Sequence, residues 1–132
     1  MSAKIARILL ALAAAALAVD ASLHWILFGP KVLAIIGPSN LPPALAADFK
    51  VLWVADISTL LSVALAFAWA ARFPAAASAA LVLVVSIIPA ALGVLIFVFG
   101  APSYAGFNML AAAGLAVIAG VLKALAERTV LP

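Results

Sequence analysis

No cysteine occurs in the 132 residues. That absence excludes disulfide exchange, thiolate catalysis and zinc–thiolate chemistry, and it leaves the redox compartment unmarked. Charge is nearly as scarce: Asp, Glu, Lys and Arg make up 8% of the chain, against 70% hydrophobic residues and a mean hydropathy of +1.43. A water-soluble domain of this length cannot hide so much apolar surface, so the solvent the sequence anticipates is lipid. A pI near 9.8 does not make this a nucleic-acid binder. The seven Lys and Arg residues stand singly or in pairs around apolar blocks, which is a topogenic pattern and not a phosphate-tracking patch.

What is present is four apolar blocks, and they predict an all-α polytopic membrane protein: one membrane domain over residues 1–132, folded as an antiparallel bundle of four transmembrane helices. The first block, residues 5–28, starts behind Lys4 and Arg7 and is expected to stop at Gly29-Pro30, a helix-ending pair. It rises about 36 Å, enough to cross a hydrocarbon core of about 30 Å. A cleaved signal peptide is the competing reading, with Val19-Asp20-Ala21 at a plausible cleavage position. The apolar run continues past it through Trp25 and Phe28, which favours a retained helix. Residues 29–50 are punctuated by Pro30, Gly37, Pro38, Pro42 and Pro43, and are expected to form an outer loop in which 32–36 make an interfacial or re-entrant turn. The second helix should begin near Pro43 and cross over 51–71, ended by Arg72 and Pro74. The third should run over 75–99, between Pro74 and Gly100 with Pro102. Pro89 inside it removes the donor for the carbonyl of Val85, so a kink is expected there, with Ser86 close to the opened backbone. The fourth should cover 106–126, with Gly106, Gly114, Gly120 and many alanines allowing close helix approach.

Four spans put both termini and the connection around Arg72 on one side. Lys4, Arg7, Arg72, Lys123 and Arg128 lie there, against Lys31 and Lys50 on the other. The positive-inside rule therefore places both termini in the cytoplasm of a plasma (inner) membrane, with 29–50 facing outward. Trp25 and Trp53 then fall at the outer interface and Trp69 at the inner one, as an aromatic belt requires.

Four polar residues stand out because lipid penalises them: Asp20 and His24 in the first helix, Asp56 in the second and Asn108 at the start of the fourth. A charged Asp at a helix centre costs about 2.5 to 3.5 kcal/mol on insertion scales. Asp20 lies roughly 6 Å beyond the middle of an outgoing helix and Asp56 roughly 7 Å before the middle of an incoming one, so the two carboxyl groups reach the same depth in the outer half. His24, four residues after Asp20, shares its face. Together with Asn108 they predict an outward-facing polar pocket. Blander roles stand beside this one: Asp20 and His24 as a self-neutralising i, i+4 pair, and Asn108 as a helix cap or interhelical hydrogen bond. Asp56 has no basic neighbour within one turn on its own helix, so its partner must come from elsewhere. Asp, His and Asp form a conceivable metal set, but no HExxH-type motif accompanies them, and one His offers no axial pair for haem. No metal or cofactor is therefore expected.

In size and helix count the chain resembles the small multidrug-resistance transporters and small DoxX-like membrane proteins. The former are similar also in having an acid in the first helix, at Asp20 here. No signature motif of either family is present, so the resemblance is one of architecture. The leading expectation is binding or transport of a lipophilic small molecule in the outer-half pocket, with Asp20 and Asp56 supplying charge or a proton. The alternatives are a membrane-embedded acid/base enzyme of the isomerase type acting on a lipid-soluble substrate, and an accessory subunit of a larger membrane complex or homo-oligomer, packed through small-residue faces.

Overall fold

The computed structural model describes residues 2–100 and 103–128, and these are helical apart from short connections. Helix α1 (Ser2–Leu23) passes without interruption through a π-helical turn (His24–Phe28) into α2 (Gly29–Ile36); α3 (Pro43–Arg72), α4 (Ala79–Phe99) and α5 (Tyr104–Arg128) follow. Four continuous helices are thus long and apolar enough to cross a membrane: Ala3–Ile36, Pro43–Arg72, Ala79–Phe99 and Tyr104–Arg128. This is an integral membrane protein built as an antiparallel four-helix bundle. Helix α1 packs against α3 on one side and α5 on the other, α5 packs on α4, and α3 meets α4 along a thinner seam. The proximal end is the one where α1 begins and α5 ends; the distal end carries the 37–42 connection.

Helices α1 and α5 turn mostly small residues inward, whereas α3 also buries Ile57, Leu60, Val63 and Phe67. The buried positions of α1 include Ala6, Leu10, Ala13 and Leu17, spaced by three or four; those of α5 include Ala112, Ala116 and Ala119. Leu12, Val19, Leu65, Ile87 and Val98 point outward. The inversion follows from the solvent: lipid tails are as apolar as leucine, so helices associate by close van der Waals approach, which alanine and glycine permit. At Gly93 of α4 an added Cβ would lie 2.8 Å from the Leu110 side chain and 3.1 Å from the Gly106 carbonyl oxygen, so α4 and α5 touch nearly backbone to backbone.

Charged side chains tie the proximal end. Arg7 Nε donates to the Ala71 carbonyl at 2.9 Å, and Lys123 Nζ donates to the Pro74 carbonyl at 2.6 Å. The Ala79 amide, at the start of α4, donates to Glu127 Oε1 at 3.3 Å, and the Ser78 hydroxyl caps the same helix by accepting from the Leu81 amide. These contacts satisfy orphan carbonyls where α3 ends and orphan amides where α4 starts, with the signs the helix dipole favours.

Several boundaries differ from the sequence expectation. The first helix does not stop at Gly29-Pro30. The Gly29 amide bonds the His24 carbonyl five residues back, a widened turn, and Pro30 then occupies a first-turn position of α2, where its missing N–H is not needed. Residues 32–36 therefore continue the helix and do not form a re-entrant turn, and the break is confined to 37–42. Helix α3 already starts at Pro43, so the expected outer loop over 29–50 is mostly a helical hairpin. Helix α4 starts at Ala79 and not at 75, because 74–78 form the turn that Ser78 caps, while α5 is longer than expected at both ends. Pro102 lies outside the described residues. Helix α4 runs unbroken through Pro89, and the Ser86 hydroxyl donates to the Leu83 carbonyl, not to that of Val85. At 1.5 Å per residue the first two spans rise about 51 and 45 Å and α4 about 32 Å, so α2 and the first turns of α3 reach beyond α4 at the distal end.

The close approach of α4 and α5 gives a stability test. Gly93→Leu should lower the unfolding free energy by about 1 to 3 kcal/mol through overpacking. Gly114, where an added Cβ meets nothing within 4 Å, should accept Ala without loss. Denaturant unfolding of the detergent-solubilised protein followed by circular dichroism measures both.

Candidate functional site

Asp20 continues the buried register of α1, three residues beyond Leu17, where the next apolar core residue would stand; it is 1% exposed. One turn later the helix widens, and His24 opens the π-helical turn. Its Nδ1 lies 3.0 Å from the Asp20 carbonyl oxygen, a contact that requires Nδ1 to carry the hydrogen and donate it. The same nitrogen is 3.6 Å from Asp20 Oδ1, an ion-pair separation beyond hydrogen-bond reach. The second carboxyl oxygen, Oδ2, is buried with no hydrogen-bond partner.

The π-helical turn has a local cause in Pro30 and a consequence for the site. It adds a residue to the turn that carries His24, and single π turns of this kind recur at functional sites. The imidazole lies in tilted contact with the rings of Trp53 and Phe28, with centroids 5.3 and 5.8 Å away. Trp53 comes from α3, and its indole Nε1 is a second buried polar atom without a partner. It lies 3.7 Å from the position a Cβ would take on Gly29, an ordinary van der Waals separation, so the indole packs directly on the widened turn. Asp56 follows Trp53 by three residues on the same face of α3, is partly buried, and interacts electrostatically with both His24 and Asp20.

The structure thus gathers Asp20, His24 and Asp56 at the α1–α3 seam in the distal half. Asn108 is placed differently. Its Nδ2 donates to the Ala16 carbonyl at 3.0 Å, one turn proximal to Asp20, and so links α5 to the α1 backbone. Trp53 is the residue that sequence reasoning undervalued. Its i, i+3 spacing from Asp56 was visible, but an interfacial belt accounts equally well for a tryptophan at that depth. Only the three-dimensional packing turns its N–H inward. Among the described residues no group of three His, Cys, Asp or Glu side chains is close enough to hold a metal ion.

Chemically, the seam holds one unpartnered acceptor, Asp20 Oδ2, one unpartnered donor, Trp53 Nε1, an imidazole between them, and a second carboxyl group at the edge. Leaving a buried polar atom unpaired costs about 1 to 3 kcal/mol, more for a charged one. The arrangement can therefore accept one hydrogen bond and donate another. No protein family, curated protein or solved structure matches this chain.

A buried carboxyl group in a core register position is a liability for folding. Asp20→Leu, which restores the apolar register, should raise the unfolding free energy by about 1 to 3 kcal/mol, as replacement of buried ionic groups by packed apolar ones often does. Denaturant titration reads the change. A loss of similar size would mean that Oδ2 is satisfied in the folded protein.

Proposed function

We propose that the distal half of the bundle binds a lipophilic small molecule bearing an N–H or a positive charge, anchored by Asp20 and Asp56, with His24 exchanging protons with them. The observation that carries this reading is the unpartnered Oδ2 of Asp20 in the core of an otherwise closely packed helix pair. In the bilayer interior no bulk solvent is at hand to pair with that oxygen, and intramembrane acids characteristically mark ligand or proton pathways. A cationic or N–H-bearing group on the ligand supplies the donor that Oδ2 lacks. The Trp53 N–H meets an acceptor on the same molecule, and the rings of Trp53 and Phe28 suit its apolar body. Binding of a cation that displaces a proton couples the two, and movement of the occupied site between the two sides would make the protein a proton-coupled transporter.

The orientation belongs to the same proposal. With five Lys and Arg residues at the proximal end and two at the distal end, the termini lie in the cytoplasm and the site opens in the outer half of the plasma membrane. The cysteine-free background allows a direct test. Ser39→Cys should react with a membrane-impermeant maleimide on intact cells, and Ala76→Cys only after the cells are opened. The reverse pattern overturns the orientation.

The binding proposal is tested with dibenzylammonium, a lipophilic cation that carries N–H donors, by calorimetry together with a pH indicator. Wild-type protein should bind it and release protons. Asp20→Asn/Asp56→Asn should weaken binding about 10- to 100-fold, the worth of a charge-assisted interaction, and abolish the release. Unchanged binding and proton release in a doubly substituted protein that unfolds like the wild type would sink the proposal.

A further inference from the structure

A groove of about 780 Å³ runs between α1 and α3 in the proximal half, away from the carboxyl cluster. Its walls are mostly alanine, including Ala11, Ala15, Ala64 and Ala68. Two helices that present their small residues along one edge leave a trench between them, open to the lipid phase. The groove is lined on α1 from residue 4 to residue 18. Its apolar part, from Ile8 to Ala18, rises about 15 Å, the depth of one leaflet of a hydrocarbon core about 30 Å thick.

Polarity in the groove is confined to its proximal mouth, where Lys4, Arg7 and Arg72 stand with no acidic residue among the lining side chains. Glu127, the one acidic side chain at this end among the described residues, is engaged elsewhere, 3.4 Å from Lys123 and accepting from the Ala79 amide. Both guanidinium groups are held in place by the protein itself. Arg7 bonds Ala71 through Nε, so its terminal nitrogens are the ones left to meet an anion, and Arg72 lies over the Phe73 ring, 5.2 Å from its centroid. Guanidinium groups fixed beforehand bind phosphate with less loss of side-chain freedom.

We infer that this groove is a binding site for one anionic phospholipid of the proximal leaflet, an acyl chain lying along the alanine trench and the phosphate headgroup held by Lys4, Arg7 and Arg72. An apolar channel of leaflet depth matches the acyl chain, and three cations without an acid match a net negative headgroup while repelling the ammonium of a zwitterionic one. The site is separate from the carboxyl cluster, and the inference does not depend on the function proposed for that cluster.

Native mass spectrometry of the detergent-purified full chain, offered phosphatidylglycerol and phosphatidylcholine of equal chain length, tests it. Wild-type protein should retain one phosphatidylglycerol in preference to phosphatidylcholine. Lys4→Gln/Arg72→Gln, which leaves the Arg7–Ala71 bond intact, should weaken phosphatidylglycerol binding about 30-fold, since each surface cation strengthens anionic-lipid binding about fivefold. Ala15→Phe/Ala68→Phe fills the trench from lipid-exposed positions, and should also displace the lipid although every cation remains. Equal retention of the two lipids, wild-type retention by both variants, or equally tight binding of glycerol 3-phosphate would overturn the inference.

Discussion

The hydrogen bond from Arg7 to the Ala71 carbonyl joins the start of α1 to the last turn of α3, and the remaining geometry can be followed outward from it. A helix end leaves carbonyls without intrahelical donors, which side chains or interfacial water must supply. The sequence supplies long cationic side chains there. Arg7 reaches across from α1 and Lys123 from α5, both to the segment where α3 gives way to the 73–78 turn, while Glu127 takes the first amide of α4. All four helices are therefore drawn to one short turn. In water such contacts contribute little, but beside lipid the alternative is an unpaired backbone group. With the proximal end tied, the relative heights of α1 and α3 are set, and Asp20 is brought to the level of Trp53 and Asp56.

The distal half obeys the opposite rule. The proximal polar groups find partners in the backbone, whereas Asp20 Oδ2 and Trp53 Nε1 have none. Neither position is forced by folding. The α1 core register would accept an apolar residue at 20, and the helix could have ended at Pro30 without a widened turn. The chain departs from local consistency twice within five residues, at Asp20 and at the π-helical turn opened by His24, and such departures concentrate where structure is spent on function. That coincidence weighs more than either feature alone. An isolated π turn is explained by Pro30, and an isolated buried acid by its histidine neighbour.

Much of this was legible in the sequence. Four apolar blocks, the boundaries at Pro43 and Gly100 and the shared depth of Asp20 and Asp56 all follow from composition and from a rise of 1.5 Å per residue. Two things were not. Gly29-Pro30 looks like a helix terminator because the proline rule assumes a continuous four-residue hydrogen-bond register; a shift to five-residue spacing just before it removes the conflict, and nothing local in Trp25-Ile26-Leu27 announces that shift. Asn108 has the polarity of a pocket residue, and whether its amide meets a carboxyl group or the Ala16 carbonyl depends on the rotation of α5 about its axis. The alanines and glycines along the rest of α5 are too uniform to fix that rotation from the sequence.

That uniformity also explains why the α1–α3 seam divides as it does. Alanine lets two helices approach closely, so Ala13 and Ala21 of α1 are almost wholly buried; alanine on the adjoining face covers too little area to close the trench, so Ala11 and Ala15 line an open groove. One residue type thus serves as both tight packing and vacancy, depending only on the angle at which it meets the neighbouring helix. Charge then distinguishes the two halves of the seam: cations at the proximal mouth, carboxyl groups in the distal half. Because the core and groove faces belong to the same two helices, the register that buries Asp20 also presents Ala11, Ala15 and Ala18 along the opening, and the two features follow from a single rotational setting of α1.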